Sequence, residues 1–163
     1  MAEIASFDDP GDLPLMVMEK AEITFTDSAK LKATINAGMV ETYEYRGKKN
    51  KLEDQKMVMS KSVLANFYDK NEMKTGTMIA DRAERLESEN KTHLYGHVKV
   101  VNTDGDQLTS DYLLWDEKLN TISTDKKVKV KTATEIIEAE GFSSDIHFKE
   151  YTFEKVTGTI SLN

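Results

Sequence analysis

His97-Val98-Lys99-Val100-Val101-Asn102-Thr103-Asp104-Gly105-Asp106-Gln107-Leu108-Thr109-Ser110-Asp111-Tyr112-Leu113-Leu114-Trp115 is the stretch that decides the fold. Val98-Lys99-Val100 alternates apolar and polar, which places one set of side chains on a single face of a strand. Asp104-Gly105 follows, and both residues tolerate the positive φ that a tight hairpin turn demands. The stretch therefore reads as two antiparallel strands, His97–Asn102 and Gln107–Trp115, joined by a turn. The same alternation recurs outward in both directions, at Ile23-Thr24-Phe25, Leu31-Lys32-Ala33-Thr34-Ile35 and Val128-Lys129-Val130-Lys131. Turn-forming residues separate the runs at Asn36-Ala37-Gly38, Arg46-Gly47, Asp116 to Asn120, and Thr132 to Thr134. Short alternating runs at regular intervals predict many antiparallel strands. Asp81 to Asn90 has some helical propensity, but alternating segments flank it, and a strand is expected there too. No long amphipathic helices alternate with the strands, so a βαβ architecture is excluded.

The bulk properties fit one all-β domain. The chain has 163 residues, 39% of them hydrophobic and 31% charged. That length suits a single core, with residues 1–17 expected as a flexible N-terminal segment and 18–163 as the folded domain. Both prolines precede residue 15, so none interrupts a later strand. The net charge of −7 repels phosphate backbones, which argues against nucleic acid as a partner. The basic clusters, Arg46-Gly47-Lys48-Lys49 and Lys126-Lys127 with Lys129 and Lys131, read as a turn and as the solvent face of a strand. There is no cysteine, which removes thiolate metal ligation and cysteine catalysis. No run of about 20 apolar residues is present to span a bilayer.

Sharper chemical signals are weak. His93 and His97 are four apart, which on a strand separates them by about 13 Å and disfavours a shared metal ion. Asn102, Asp104 and Asp106 hint at calcium, but the loop lacks the distal glutamate, and a turn explains them. Asp8-Asp9 and Glu138/Glu140 are carboxylate pairs of a kind that an acidic chain produces by chance. Tyr43 and Tyr45 share a strand face and would suit sugar stacking or plain packing. No nucleophile elbow, phosphate loop or dinucleotide fingerprint occurs. No catalysis, metal or cofactor is expected.

The second half carries a familiar order of motifs. Leu94-Tyr95-Gly96-His97-Val98-Lys99-Val100 is followed by Gly105-Asp106-Gln107-Leu108-Thr109-Ser110-Asp111 and Leu114-Trp115-Asp116. Then come Ile122-Ser123-Thr124-Asp125-Lys126-Lys127-Val128-Lys129-Val130, Glu140-Gly141-Phe142 and Val156-Thr157-Gly158-Thr159-Ile160. This sequence resembles the LptC family of periplasmic lipopolysaccharide-export proteins, well over residues 75–163 and loosely over 18–74. Leu13-Pro14 and Ile23 to Ser28 are similar to the start of versions from Bacteroidetes-type bacteria. The resemblance implies a twisted, V-shaped antiparallel β-jelly roll with an open apolar groove. It also implies a position in the periplasm at the inner membrane, held by an N-terminal anchor that lies outside this chain. The module would receive lipopolysaccharide from an inner-membrane ABC transporter complex and pass it to a soluble periplasmic protein of similar fold.

The apolar strand residues suit that task. Each methylene hidden from water is worth about 0.8 kcal/mol, so a multi-chain lipid needs shelter in transit. The expected lipid-binding residues are Phe25, Leu31, Ile35, Met57, Met59, Phe67, Ile79, Val98, Val100, Trp115, Val128, Val130, Ile136 and Ile160. Inward strand residues ordinarily pack as a closed core, and only the resemblance favours a groove. Partner modules would add to unpaired edge strands. The edge residues expected to serve are Ile23 and Phe25 at the transporter side, and Tyr151, Phe153, Val156, Gly158 and Ile160 at the hand-over side. The alternative is a closed β-barrel carrying a small ligand, with no free edges.

Overall fold

The computed structural model describes residues 13–46 and 53–162. Gly47, Lys48 and Lys49 of the first basic cluster, Asp8-Asp9, and the side chain of Tyr45 lie outside what it describes. Eleven strands form one antiparallel sheet. They are β1 (Met16–Asp27), β2 (Lys30–Arg46), β3 (Glu53–Tyr68), β4 (Lys74–Ala80), β5 (Arg82–Leu86), β6 (Lys91–Asn102), β7 (Gln107–Asp116), β8 (Thr121–Lys131), β9 (Glu135–Asp145), β10 (Tyr151–Phe153) and β11 (Val156–Ser161). Sequence neighbours pair, except β4 with β5 and β10 with β11. β4 and β5 together occupy one place between β3 and β6, and β10 and β11 together occupy the place beside β9.

Each long strand is broken at the same level, and these breaks form a seam across the sheet. Lys20 (φ +53°) interrupts β1 opposite Gly38 of β2, where the β2–β3 register also shifts. Lys61 and Ser62 (φ +61° and +73°) interrupt β3, and Asp81 separates β4 from β5. Gly96 and His97 interrupt β6, and register shifts follow in β7 after Ser110 and in β8 after Thr124. Gly141 (φ +109°) interrupts β9, and Glu154-Lys155 separates β10 from β11. A bulge bends its strand, so a continuous row of them folds the sheet in two. The upper arm holds Met16–Glu19, β5, β10 and the matching ends of the other strands. The lower arm holds Ala21–Asp27, β4, β11 and the rest.

The sequence places a turn at Asn36-Ala37-Gly38, and the structure corrects this. These residues lie inside β2. Alternation resumes beyond Gly38 with one residue of slip, so Ala37 and Val40 both face inward and the chain bends without reversing. Gly38 is required for the close approach at this point, because a Cβ there would sit 2.5 Å from the Lys61 carbonyl oxygen. Arg82–Leu86 is a strand as expected, and a 3₁₀ turn at Glu87–Glu89 closes it. Pairing on both sides, with β3 and β6, outweighs the segment's helical propensity. The Asp104-Gly105 turn is formed, with Gly105 at φ +88°. Asn102 Oδ1 accepts the N–H groups of Asp104 and Asp106, both at 3.0 Å, so this carboxamide serves the turn.

Candidate functional site

The inner surface of the lower arm is graded by size, while the upper arm carries Met59, Leu94, Leu113 and Phe142 beside the seam. Beside the seam stand Ala21, Ala37, Val63, Ala80 and Ala139 on the lower arm and Ala83 on the upper, all buried. Small side chains let two backbones approach closely at the apex of a V. Farther out, where the arms diverge, the inward positions carry Phe25, Phe67 and Trp115. Trp115 on the upper arm meets both lower-arm phenylalanines, with ring centroids 5.3 Å from Phe25 and 5.0 Å from Phe67. The V is thus wedge-packed in mid-sheet by its own side chains. Its indole Nε1 is buried and has no hydrogen-bond partner.

Most of the sequence-predicted interior residues come together here. Ile35, Met59, Phe67, Val98, Val100, Trp115, Val128 and Val130 lie in one core and are at most 4% exposed. Phe25 and Met57 pack against that core and are partly open, while Leu31 stands at the outer end of β2, half-buried. Ile79, Ile136 and Ile160 do not join them. Their pairing with Lys99, Lys131 and Ile136 respectively puts them on the outer face, where Ile79 is 39% and Ile160 60% exposed. The inner face also includes residues that the sequence does not single out. Met18 is on β1 in register with Val40, and Ile137 is on β9 in register with Val130. The inner face is tight at the centre and opens toward both edges. Ile23 and Phe25 are partly open on the β1 side, as are Ile137, Tyr151 and Phe153 on the β10–β11 side, while Met18 and Val156 are exposed.

Both edges are free among the described residues. β1 pairs only with β2, and β10 and β11 pair only with β9, so the sheet does not close into a barrel. β1 carries Ile23 and Phe25, while β10 and β11 carry Tyr151, Phe153, Val156, Gly158 and Ile160. The first edge begins with an exposed apolar run, Leu13, Leu15, Met16, Val17 and Met18.

Polar groups tie the arms at the mouth, opposite the seam. Arg85 lies with its guanidinium 5.3 Å from the Phe25 ring centre and donates twice to the Glu117 carboxylate, at 2.8 and 2.9 Å. Thr92 Oγ1 also donates to that carboxylate, and Lys32 Nζ of the lower arm donates to the Glu117 carbonyl at 3.0 Å. Between β9 and β10, the Asp145–Glu150 loop crosses to the lower arm. Asn102 Nδ2 donates to the Phe148 carbonyl at 2.6 Å, and His147 Nδ1 lies 2.6 Å from Thr75 Oγ1. Tyr151 donates to Asp106 at 3.5 Å; burial, then the Asp106 charge, pushes this phenol's pKa up. Glu117 and Phe148 escape a sequence reading because they sit in turns, where no period marks an inward residue.

The outer face is polar and aromatic. His93 stacks beside Tyr95 and Tyr112 and hydrogen-bonds the Tyr112 hydroxyl through Nδ1 at 2.7 Å. Burial raises the pKa of both phenols. His97, on the seam, hydrogen-bonds Asp81 at 2.7 Å, and that contact raises its pKa. The two histidines therefore have separate partners. Tyr43, expected for sugar stacking or packing, is on the outer face in register with Lys56. No group of three or more His, Cys, Asp or Glu residues converges on a metal-sized site among the described residues, and no helix there is long and apolar enough to cross a membrane.

No curated protein matches the sequence. A family model described as "Lipopolysaccharide-assembly, LptC-related" matches residues 12–161, nearly the whole chain. It spans both arms, the seam and both edges. The resemblance implies a V-shaped antiparallel β-jelly roll with an open apolar groove; the sheet is antiparallel, folded and open-edged as implied, but in mid-sheet its own side chains fill the interior. The chain belongs to the LptC-related family, whose members are transport and binding proteins that face the periplasm and serve lipopolysaccharide assembly.

Proposed function

We propose that the inner face of this sheet shelters the acyl chains of lipopolysaccharide, and that the module passes the lipid from an inner-membrane ABC transporter complex to a soluble jelly-roll protein of like fold. The observation that carries the reading is the continuity of the apolar inner face from one free edge to the other. Phe25 and Ile23 stand at the first edge, the core lies between, and Ile137 and Tyr151 stand at the second. A second module adding a strand to either edge would extend that apolar surface, because inward residues on the new strand fall in the same rows. An N-terminal anchor ahead of this chain would hold the module at the inner membrane. The expected lipid-binding residues on the outer face, Ile79, Ile136 and Ile160, have no part in this reading as lipid contacts.

The test places a photo-crosslinking amino acid at Phe25, at Ile137 and, as the outer-face control, at Ile79. The partly open ends are chosen because a charge at Val128 or Val130 would be buried and would unfold the protein. Lipopolysaccharide is expected to label Phe25 and Ile137 and to spare Ile79. Labelling that is equal on both faces would refute the inner-face route.

A further inference from the structure

We propose that the Asp145–Glu150 loop is a clasp that holds the two arms shut at the mouth, and that its release admits an acyl chain between them. This rests on the reading that the interior takes acyl chains, and it adds where and how they enter. The seam side of the V is continuous backbone, so the arms can part only at the mouth. There the loop belongs by sequence to the upper arm but fastens to the lower one. Asn102 of β6 donates to the Phe148 carbonyl, and Thr75 of β4 meets His147. The Phe148 side chain is fully buried, 5.9 Å from the Phe142 ring centre and 4.9 Å from that of Tyr151.

Two features mark the clasp as releasable. Phe148 has φ +56°, a left-handed conformation that a bulky residue adopts only under constraint. The strained turn would relax on leaving the mouth. The loop's fastening across the arms is also local, two hydrogen bonds, whereas its ring contacts with Phe142 and Tyr151 and its hydrogen bonds to the Asp145 carboxylate stay within the upper arm. Thr75 connects the clasp to the wedge, since its hydroxyl also lies 3.3 Å from the Phe67 carbonyl, and Phe67 packs on Trp115. The chemistry behind the clasp fits an acyl chain better than a bare hydrocarbon. The walls are apolar, yet the buried Trp115 Nε1 lacks an acceptor, which an ester, amide or carboxyl carbonyl would supply.

The experiment uses the full chain and cis-parinaric acid, a fatty acid that fluoresces when sheltered from water. The chain has no cysteine of its own, so the pair Thr75→Cys with His147→Cys forms a clean lock. Loading is expected to be at least about tenfold slower in the oxidised form than in the reduced form, which corresponds to about 1.4 kcal/mol added to the entry barrier. His147→Ala, which removes only the contact to Thr75, is expected to load faster than the parent with unchanged circular dichroism. Equal loading by the oxidised and reduced pair, with His147→Ala matching the parent, would show entry through the edges and overturn the clasp while leaving the inner-face reading intact. Uptake by none of the forms would overturn both.

Discussion

Asp145 shows how one side chain sets the shape of a turn. Its carboxylate accepts N–H groups from His147, Lys149 and Glu150 at 2.8 to 3.1 Å. Burial alone would raise its pKa. The three backbone donors, with the Ser144 hydroxyl, outweigh that and hold the pKa below the ordinary value of 3.8. A carboxyl whose folded pKa is depressed stabilises the fold above its unfolded pKa, and loses that contribution as pH falls through the folded value. Resistance to urea should therefore fall as the pH drops below 3.8, and Asp145→Asn should blunt that acid limb while costing about 1–2 kcal/mol at neutral pH. An acid limb of the same slope in the variant would remove Asp145 from the account. Trp115 makes a different case. Its N–H has no partner, so Trp115→Phe loses packing but no hydrogen bond and should cost less than about 1.5 kcal/mol. Phe67→Ala, which empties the wedge, should cost about 3–5 kcal/mol by the same thermal or urea measurement. Nothing local in the sequence separates these two aromatic positions. Both follow the strand period, and only the facing arm decides that one N–H goes unmatched.

The strands were legible because their signal is local. Val98-Lys99-Val100 and Val128-Lys129-Val130 alternate over a few residues, and Asp104-Gly105 supplies the one turn geometry that joins its two strands. The seam was not legible, because a bulge is a slip of one residue within an otherwise intact pattern. Asn36-Ala37-Gly38 looks like a chain reversal when read alone, yet β3 running alongside β2 turns it into a bend. Gly141 carries the same lesson on β9. Its φ of +109° suits glycine alone, and a Cβ there would lie 2.7 Å from the Glu154 Cβ. Gly141→Ala should therefore destabilise by about 1–3 kcal/mol, read as a lowered urea midpoint, and the loss should persist, measured against Glu154→Gly alone, when Glu154 is replaced by glycine, which removes the facing Cβ. Full recovery in the double variant would mean that contact alone, and not backbone strain, was responsible.

The whole molecule is one sheet folded on itself with two free edges, and its traffic with neighbours belongs to those edges. Val156 and Ile160 are exposed on β11, so Val156→Lys with Ile160→Lys should leave the melting temperature nearly unchanged, within about 0.5 kcal/mol per site. The same pair should weaken docking to a soluble jelly-roll partner, since edge lysines oppose strand addition. Undiminished pull-down of that partner would assign docking elsewhere. By itself the sequence determined the all-β class, the antiparallel order, a minority of the inward residues and, through its ordered motifs, the family. These rest on side-chain period and turn chemistry, which are properties of a few adjacent residues. Only the tertiary structure decided which face Ile79, Ile136 and Ile160 occupy, where the sheet folds, and that Phe148 is buried. That burial is against Phe142 and Tyr151, and the closing of the mouth by Phe148 is part of the proposed clasp. The other outcomes depend on register between strands, and register is set by the sum of many pairings, which no short stretch contains.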